Sequence, residues 1–514
     1  PNALALSRDG RTLFVANADN NDVAVVDLTD EDGPRIVGLI PTAWYPTAVA
    51  LSPDGRTLYV ANGKGLGAGP NLEGPTAPHA RRNEYIADLI VGSVSAIPVP
   101  DAAALHRYTR QVLANSPYRD ALLARVPWPR SSPIPRARSD SSPIRHVLYV
   151  IRENRTYDQV FGDDPRGDGD ARLAIFGDSV TPNAHALARA SVLFDNFYVN
   201  GDVSADGHMW TDAAIAGDYT DKTWPANYSG RREWDFLAGL PVLDPLAGYL
   251  WNDAFRAGVS VRNYGEMTQW DSAAARARAD DRSLERVTDP HFVGWDLAVP
   301  DSVRVDEFIR ELRADEARDS MPQLMILDLP NDHTWGRQPG RPTPRAMAAE
   351  NDRALGRMIE ALSHSRFWGQ TAVFVLEDDA QNGPDHVDAH RSPLLVLSPW
   401  IRRGMVDSTF YTTASVLRTI ELILGLAPMT QYDAAAEPLF DAFTTRPDSA
   451  PWAALPSTWP LGELNPLGQH SSIDPRLFRR PDMADEDVLN REIWASVKAT
   501  PMPAPRHSVM AAAR

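Results

Sequence analysis

The stretch Thr371–Arg391, TAVFVLEDDAQNGPDHVDAHR, decides the fold of the larger part of this chain. Its first six residues are apolar or β-branched and predict a buried strand. The acids Glu377-Asp378-Asp379 follow at once, and two histidines, His386 and His390, lie within fourteen residues of Glu377. Open α/β sheets bind their ligands at the carboxyl ends of parallel strands. The stretch therefore predicts an α/β fold with a reaction centre at one edge of its sheet.

The side chains of this stretch indicate the kind of centre. Carboxylates and imidazoles without thiolates suit a borderline or hard divalent cation such as zinc, manganese or magnesium. Cys is absent from the chain, which excludes disulfides and thiolate metal sites and leaves the redox compartment open. A solvated acidic loop is the alternative interpretation, but it leaves the two histidines unexplained. We therefore predict a divalent metal site.

Length and charge limit the classes of function. A chain of 514 residues is too long for one ordinary core, so at least two domains are expected. The net charge of -17 argues against a nucleic-acid partner, because phosphate contacts need a basic surface. A small phosphorylated substrate stays compatible, since a bound metal dominates the local charge. No apolar run approaches the roughly 20 residues of a membrane span.

The N-terminal region contains a tandem repeat. Residues 1–17 (PNALALSRDGRTLFVAN) and 46–62 (PTAVALSPDGRTLYVAN) agree at 13 of 17 positions and begin 45 residues apart. This period matches a four-stranded propeller blade, and each copy predicts a strand, an Asp-Gly turn and a second strand. Val23–Leu28 predicts a third strand, and Ile90–Pro98 is interpreted as the remnant of a third blade. These residues resemble the YVTN/YncE-type seven-bladed β-propeller repeat.

The propeller resemblance implies a rigid platform that docks a partner or a cell-surface component. Two or three blades cannot close a ring or bury their faces. We therefore expect further blades before Pro1 and an incomplete all-β propeller segment in residues 1–100.

Composition sets the remaining domain boundaries. Apolar spacing between Tyr85 and Arg125 predicts a helix. Val126–Ile144 is dense in Pro, Ser and Arg, which is typical of a semi-extended linker that does not pack. We assign residues 101–144 to this helix and linker, 145–440 to a catalytic domain, and 441–514 to a Pro-rich tail without chemistry.

The predicted strand His146–Ile151 is followed directly by Arg152-Glu-Asn-Arg-Thr-Tyr-Asp158. Here the chain resembles the phosphoesterase family of bacterial phospholipase C and acid phosphatase, within the alkaline phosphatase superfamily, which carries an ENRSFD-like motif after its first strand. The resemblance extends over roughly residues 144–440. It implies an alkaline-phosphatase-like sheet flanked by helices, Glu153 as a metal ligand, and Asn154 as a ligand or a phosphoryl contact. Without the resemblance, Glu153 would more readily be an acid at a helix N-terminus.

The next motif contains the predicted nucleophile. Thr181–Ala190 predicts a helix and Val192–Val199 a strand, followed by Asn200-Gly-Asp-Val-Ser-Ala-Asp-Gly-His-Met-Trp210. The resemblance places a Thr or Ser nucleophile in this loop, at Ser204, and a plain turn serine is the alternative. A serine hydroxyl needs a metal or a base to react. The family continues with Pro-Asn-Arg, whereas this chain has Asp206-Gly-His208, so we expect His208 to contact the phosphoryl group.

A third motif follows the predicted strand Leu324–Leu329. Superfamily members carry an acid and a histidine spaced Asp-x-x-x-His here, whereas Asp332 and His333 are adjacent in this chain. An irregular turn would allow both to bind one cation, and capping of the turn by Asp332 is the alternative. A helix beginning at Thr343-Pro344 leads to the strand of the opening stretch, in the crossover order of an α/β sheet.

The opening stretch completes the expected site. By the resemblance, Asp378 and Asp379 match the family's acidic pair, and His386 lies in its Asp-His-Val motif. His386 stays open between metal ligand, phosphate contact and a group that orients a ligand. His390 occupies the place of the last histidine ligand of two-metal members. We therefore expect two divalent ions (Zn, Mn, Mg or Ca), one bound by Glu153, Ser204, Asp378 and Asp379, and the other by Asp332, His333 and His390.

These patterns together predict a metal-dependent hydrolase that cleaves phosphoric esters of small molecules through Ser204. Two alternatives stay open. One is a catalytically inactive, propeller-linked binding or scaffold protein, which the departures at Asp206–His208 and Asp332–His333 suggest. The other is a phosphomutase or a phosphonate or sulfate-ester hydrolase of the same superfamily. A periplasmic or secreted location is implied by the relatives alone.

Overall fold

The computed structural model describes residues 1–68, 86–229, 240–380, 383–498 and 500. Positions 381 and 382 of the acidic stretch, residues 69–85 of the predicted propeller segment and residues 501–514 of the tail lie outside this description. The described chain divides into two compact units, one with residues 1–68 and 86–118 and the other with the residues from 119 onward.

The N-terminal unit is built from antiparallel strands. The first repeat forms a four-stranded sheet in the order β1-β2-β3-β4, and the second contributes to a three-stranded sheet, β5-β6-β7. Valine, isoleucine and phenylalanine side chains of both sheets share one core with Leu105 of helix α2. The strands are β1 Ala3–Leu6, β2 Thr12–Asn17, β3 Asp22–Asp27, β4 Arg35–Pro41, β5 Trp44–Leu51, β6 Thr57–Gly65 and β7 Ser93–Pro98, and the helices are α1 Ile86–Leu89 and α2 Ala102–Asn115.

The interpretation of Ile90–Pro98 as the remnant of a third blade is wrong for the described chain. Instead of starting a new sheet, β7 pairs antiparallel with β6 and completes the sheet of the second repeat. The apolar alternation of Ile90–Pro98 identifies a strand but not its partner, and the free edge of β6 decides the pairing. The antiparallel sheets agree with an all-β segment, while ring closure as a propeller stays a prediction.

The prediction that Val126–Ile144 does not pack is also wrong. Val126, Ile134 and Ile144 are buried in the core of the second unit. The backbone N–H of Val126 donates to the carbonyl of Arg136, which closes the segment on itself. A few apolar side chains therefore bury the segment despite its linker-like composition, and prolines lower the entropy that it loses on ordering.

The second unit contains the sheet that the opening stretch predicts. Its five strands lie in the order β11-β14-β8-β15-β16. The first four are parallel, and β16 pairs antiparallel with β15. The strands are β8 His146–Arg152, β11 Val261–Tyr264, β14 Leu324–Leu329, β15 Thr371–Glu377 and β16 Leu394–Leu397, and the shorter strands outside this sheet are β9 Val192–Phe194, β10 Phe197–Tyr198, β12 Thr268–Asp271, β13 Arg276–Ala279, β17 Met405–Asp407 and β18 Tyr411–Thr412.

Both faces of this sheet are covered. Along β8, Val147, Tyr149 and Ile151 belong to one buried cluster, and Leu148 and Val150 belong to the other. Parallel strands that are buried on both faces are continuous hydrophobic runs, as this one is. Helices α6, α8 and α11 contribute to the first cluster, and α5, α9 and α10 to the second. The α/β prediction is therefore confirmed.

The helices of this unit agree with the predicted starts at Pro182 and Pro344. Thr343 accepts a hydrogen bond from the N–H of Ala346 and so caps α10. The helices are α3 Ala121–Ala124, α4 Tyr157–Phe161, α5 Pro182–Ala190, α6 Ser204–Ala213, α7 Asp218–Tyr228, α8 Leu250–Ala257, α9 Asp301–Arg318, α10 Pro344–Ser363, α11 Thr413–Leu424, α12 Gln431–Ala435 and α13 Glu486–Val497, with 3-10 turns at Pro330–His333, Trp368–Gln370, Phe440–Ala442 and Pro475–Arg479. None of the helices in the described ranges is long and apolar enough to span a bilayer.

The register of the central strands sets the position of the site. Arg152 at the end of β8 lies opposite Leu329 of β14 and Glu377 of β15. Since these strands run parallel, the residues that follow them leave the sheet at the same edge. The motifs at 153–158, 330–336 and 378–379 therefore meet there.

Truncation of a central side chain tests this core. Leu148 of β8 is fully buried, so Leu148→Ala should lower the free energy of unfolding by about 2–5 kcal/mol through lost burial and a residual cavity. Leu467→Ala is the matched control, because Leu467 is 85% exposed and its loss should change stability by less than about 0.5 kcal/mol. Urea unfolding followed by circular dichroism measures both, and equal midpoints would contradict this core assignment.

Candidate active site

Ser204 is at the centre of the polar cluster at this sheet edge. It is fully buried as the first residue of α6. Its Oγ lies 2.7 Å from Asp379 Oδ2 and 3.3 Å from Glu153 Oε2. The amide of Asn154 donates to the same Oγ over 3.4 Å. The hydroxyl is therefore surrounded by residues that follow β8 and β15.

The close approach of α6 to the loop after β15 depends on a glycine. Asp206 holds the start of the helix by accepting hydrogen bonds from the N–H groups of Asp202 and Val203. A Cβ on Gly207 would lie only 2.8 Å from the carbonyl oxygen of Asp378. Any larger residue at this position would push Ser204 away from Asp378 and Asp379.

Asp378 and Asp379 are buried side by side. Burial raises the pKa of Asp378 well above its usual range, and the charges of Asp379 and Glu153 raise it further. Burial also raises the pKa of Asp379, to about 8, with repulsion from Asp482 as the next cause. Both oxygens of Asp378 and the Oδ1 of Asp379 lack a hydrogen-bond donor among the described residues. Buried carboxylates without donors are suited to bind a cation.

His208 lies one turn after the serine and is held between two carboxylates. Its Nδ1 is 2.9 Å from Glu266 Oε1, and its Nε2 is 3.1 Å from Glu153 Oε1 and 3.6 Å from Asp378 Oδ2. Burial alone would lower the pKa of His208, but Glu266 and Glu153 outweigh it and raise the pKa well above the usual value. The two carboxylates therefore fix the position of the imidazole.

A second group of donors lies on the other side of Glu153. The Nε2 of His333 is 3.1 Å from Asp482 Oδ1 and 3.2 Å from Glu486 Oε1. Asp482 also accepts a hydrogen bond of 2.7 Å from the hydroxyl of Tyr228. Burial would lower the pKa of His333, but Glu486 and Asp482 raise it well above the usual value.

These side chains form two three-donor groups that share a carboxylate. One group is Glu153, His208 and Asp378, and the other is Glu153, His333 and Asp482. Within each group the ligand atoms lie within 4.8 Å of one another. Oxygen and imidazole donors at such distances fit zinc, manganese or magnesium.

The structure gives Asp332 and His390 other partners. The carboxylate of Asp332 pairs with Arg152 at 2.9 Å and accepts a hydrogen bond from the backbone N–H of Glu153. His390 lies between Asp202 and Asp388, at 2.9 Å and 3.0 Å, and these two carboxylates raise its pKa to about 10 against the lowering effect of burial. The expected grouping of Asp332, His333 and His390 is therefore not brought together.

His386 also belongs to a different network. Its Nδ1 lies 2.6 Å from Asp158 Oδ2, and its backbone N–H donates to the same carboxylate. Arg391 binds Asp158 and Asp385 in this network at 3.0 Å and 2.9 Å. These contacts tie α4 to the loop after β15, and none of these partners is a hydrogen-bond partner of Ser204.

Sequence reasoning missed four residues of the cluster: Tyr228, Glu266, Asp482 and Glu486. The last two come from the tail to which no chemistry was assigned, a mistake that the contacts with His333 correct. The only local signal was a pair of acids four residues apart, with the second opening an amphipathic helix. Such a pair is common on helix termini, so the signal alone would not have identified them.

A family model matches the sequence of this chain. The model of the Phosphoesterase family matches residues 168–427, just over half of the chain. The match includes Ser204, Asp378 and Asp379 and begins after Glu153. No curated protein matches the sequence.

Several solved structures share a distant likeness with the chain. A protein of the alkaline phosphatase superfamily from Vibrio parahaemolyticus is 15% identical, with 61% of this chain and 75% of that chain covered and a TM-score of 0.39. The phosphonate monoester hydrolase of Agrobacterium radiobacter is 16% identical over 59% and 76%, with a TM-score of 0.33. The lipoteichoic acid synthase LtaP from Listeria monocytogenes is 12% identical over 75% and 98%, with a TM-score of 0.39.

The family match covers more than half of the chain and includes the serine loop and the acidic pair. This extent decides the classification. The chain belongs to the Phosphoesterase family.

Proposed function

We propose that this protein is a metal-dependent hydrolase of phosphoric esters with Ser204 as its nucleophile. The observation that carries the proposal is the contact of the Ser204 hydroxyl with Asp379, Glu153 and Asn154 beside carboxylate oxygens that lack donors. Membership of the Phosphoesterase family supports a hydrolase that acts on esters.

The donor set fits divalent cations. Glu153, Asp378, Asp379 and Ser204 would hold one ion, and Glu153, His333 and Asp482 would hold a second. Asp332 and His390 are left out because Arg152 and two other aspartates already engage them. A cation at the serine would supply charge that favours the ionised hydroxyl and neutralises the ester oxygens.

The side chains of the site account for the remaining steps. The Ser204 Oγ forms a bond to phosphorus while the bond from phosphorus to the ester oxygen breaks and the alcohol leaves. Asp379 Oδ2, at 2.7 Å, accepts the hydroxyl proton and passes it to the leaving oxygen, which departs as the alcohol. Water then attacks phosphorus and breaks its bond to Ser204 Oγ; Asp379 takes the proton of the water and returns it to Ser204, and phosphate is released.

Two further residues orient and stabilise the reacting groups. The amide of Asn154 faces the nucleophile and would donate to a phosphoryl oxygen. His208 lies next to Glu153, at the position where the chain departs from Pro-Asn-Arg, and would contact a phosphoryl oxygen. His386 has no role in this proposal because its partners, Asp158 and Asp168, form a separate network.

Removal of the nucleophile is the first test. Ser204→Ala should lower turnover of 4-nitrophenyl phosphate about a thousandfold or more, because the proposed nucleophile is removed. Metal content, measured by elemental analysis, should be largely retained. Ser191→Ala is the matched control, since Ser191 is a buried serine whose hydroxyl donates to the carbonyl of Leu187 in α5. Wild-type turnover by Ser204→Ala would contradict the assignment.

Metal binding is tested both by metal content and by its effect on activity. Asp378→Asn removes a buried charge and should lower the metal content of the purified protein, while chelation by EDTA should abolish ester hydrolysis and added cation should restore it. Asp407→Asn is the control, because Asp407 is also buried but accepts hydrogen bonds from the backbone N–H of Thr409 and the hydroxyl of Tyr411. A wild-type protein with less than one cation per chain would favour the inactive scaffold.

The ester class is tested with matched substrates. The substrates are a phosphate monoester, a phosphate diester, a phosphonate monoester and a sulfate ester. All four have the same 4-nitrophenol leaving group, so that only the transferred group differs. We expect the phosphate monoester to give the highest kcat/KM, since it is a dianion and the cations favour the more highly charged oxygens. Faster turnover of the sulfate ester would assign the protein to the sulfatase alternative.

A further inference from the structure

A cavity of 470 Å³ adjoins the candidate active site. Glu153 and His208 are among its lining residues. A phosphoryl group needs only a small part of this space, which lies within the range of pockets that bind small organic molecules. The remaining space is available to the part of the ester that leaves.

Aromatic side chains form one wall of the cavity. Trp270, on the short hairpin of β12 and β13, is 38% exposed and lines the cavity, as do Trp295 and Phe478. The indole N–H of Trp295 donates to the carbonyl of Phe478, and its ring meets the ring of His333 edge-on at 5.0 Å. The aromatic wall is therefore connected directly to a residue of the site. Partly exposed tryptophans around a cavity are typical of ligand-binding surfaces.

Two arginines complete the lining. Arg479 and Arg480 are exposed and line the cavity. In the part of the chain that the structure describes, neither guanidinium has a carboxylate within ion-pair distance. Asp482, two residues later, binds Tyr228 and His333 and so holds this segment at the site. In a chain with a net charge of -17, such a pair of cations attracts anions to one opening.

We propose that the cavity selects phosphoric esters with an aromatic leaving group. The flat ring stacks on Trp270, and Arg479 and Arg480 attract the anionic ester to the opening. This inference rests on the proposed hydrolase function and names the substrate class of the same site.

The experiment measures binding with ligands that cannot be hydrolysed. Benzylphosphonate and (cyclohexylmethyl)phosphonate have the same charge and nearly the same size, and only the first has a flat aromatic ring. Calorimetric titration should show about three- to tenfold tighter binding of benzylphosphonate to the wild type, the range expected for one aromatic contact. Trp270→Leu should remove this preference, and Trp270→Phe should retain it.

Two further variants separate the contribution of Trp270 from that of the two arginines. Trp44→Leu replaces a tryptophan of similar exposure in the N-terminal unit and should leave the preference unchanged. The double variant Arg479→Ala with Arg480→Ala should weaken binding of both phosphonates about tenfold without changing their ratio. Circular dichroism confirms that each variant is folded. Equal binding of the two ligands by the wild type, or a preference that survives Trp270→Leu, would overturn the proposal.

Turnover of benzyl phosphate and cyclohexylmethyl phosphate separates this inference from the hydrolase assignment. Preferential binding of benzylphosphonate without hydrolysis of either ester would support the cavity and contradict the catalytic function. Hydrolysis of both esters at equal kcat/KM, with equal binding of the phosphonates, would leave the hydrolase in place and remove the aromatic selectivity.

Discussion

Buried like charges around a single hydroxyl are the constraint on which the rest of this site depends. Glu153, Asp378, Asp379 and Asp482 are buried near Ser204, and His208 and His333 are their neighbouring imidazoles. Burial of a carboxylate without a partner costs several kcal/mol, and proteins avoid it unless a cation or a proton compensates. The raised pKa values of Asp378 and Asp379 express this cost. The same crowding makes the site suited to divalent cations.

The sheet is what forces these charges together. Strands β8, β14 and β15 run parallel and end in register, so each delivers its following residues to one edge. Arg152 lies at this edge and pairs with Asp332 and Glu377. The acids that follow the strand ends, Glu153, Asp378 and Asp379, lie near Ser204 instead. The carboxylates that the Arg152 guanidinium reaches are thus held in ion pairs, and those that it does not reach are left unpaired by it near Ser204.

The C-terminal segment converts an open sheet edge into an enclosed site. Asp482 and Glu486 contact His333, and Phe478 and the two arginines after it line the adjacent cavity. One segment therefore contributes both the carboxylates beside His333 and part of the cavity wall.

The sequence by itself determined the α/β class, the central strands and the long helix before β15, since each depends on local apolar periodicity and on caps within a few residues. It also indicated Glu153, Ser204, Asp378 and Asp379, through motifs that resemble those of a known family, and the structure places these four together. Only the tertiary structure decided the partners of His333, because Asp482 and Glu486 are 149 and 153 residues away and no local pattern connects them. It likewise placed His386 with Asp158 and His390 with Asp202. A histidine near many aspartates binds the one that packing brings within reach, and packing is a property of the whole fold.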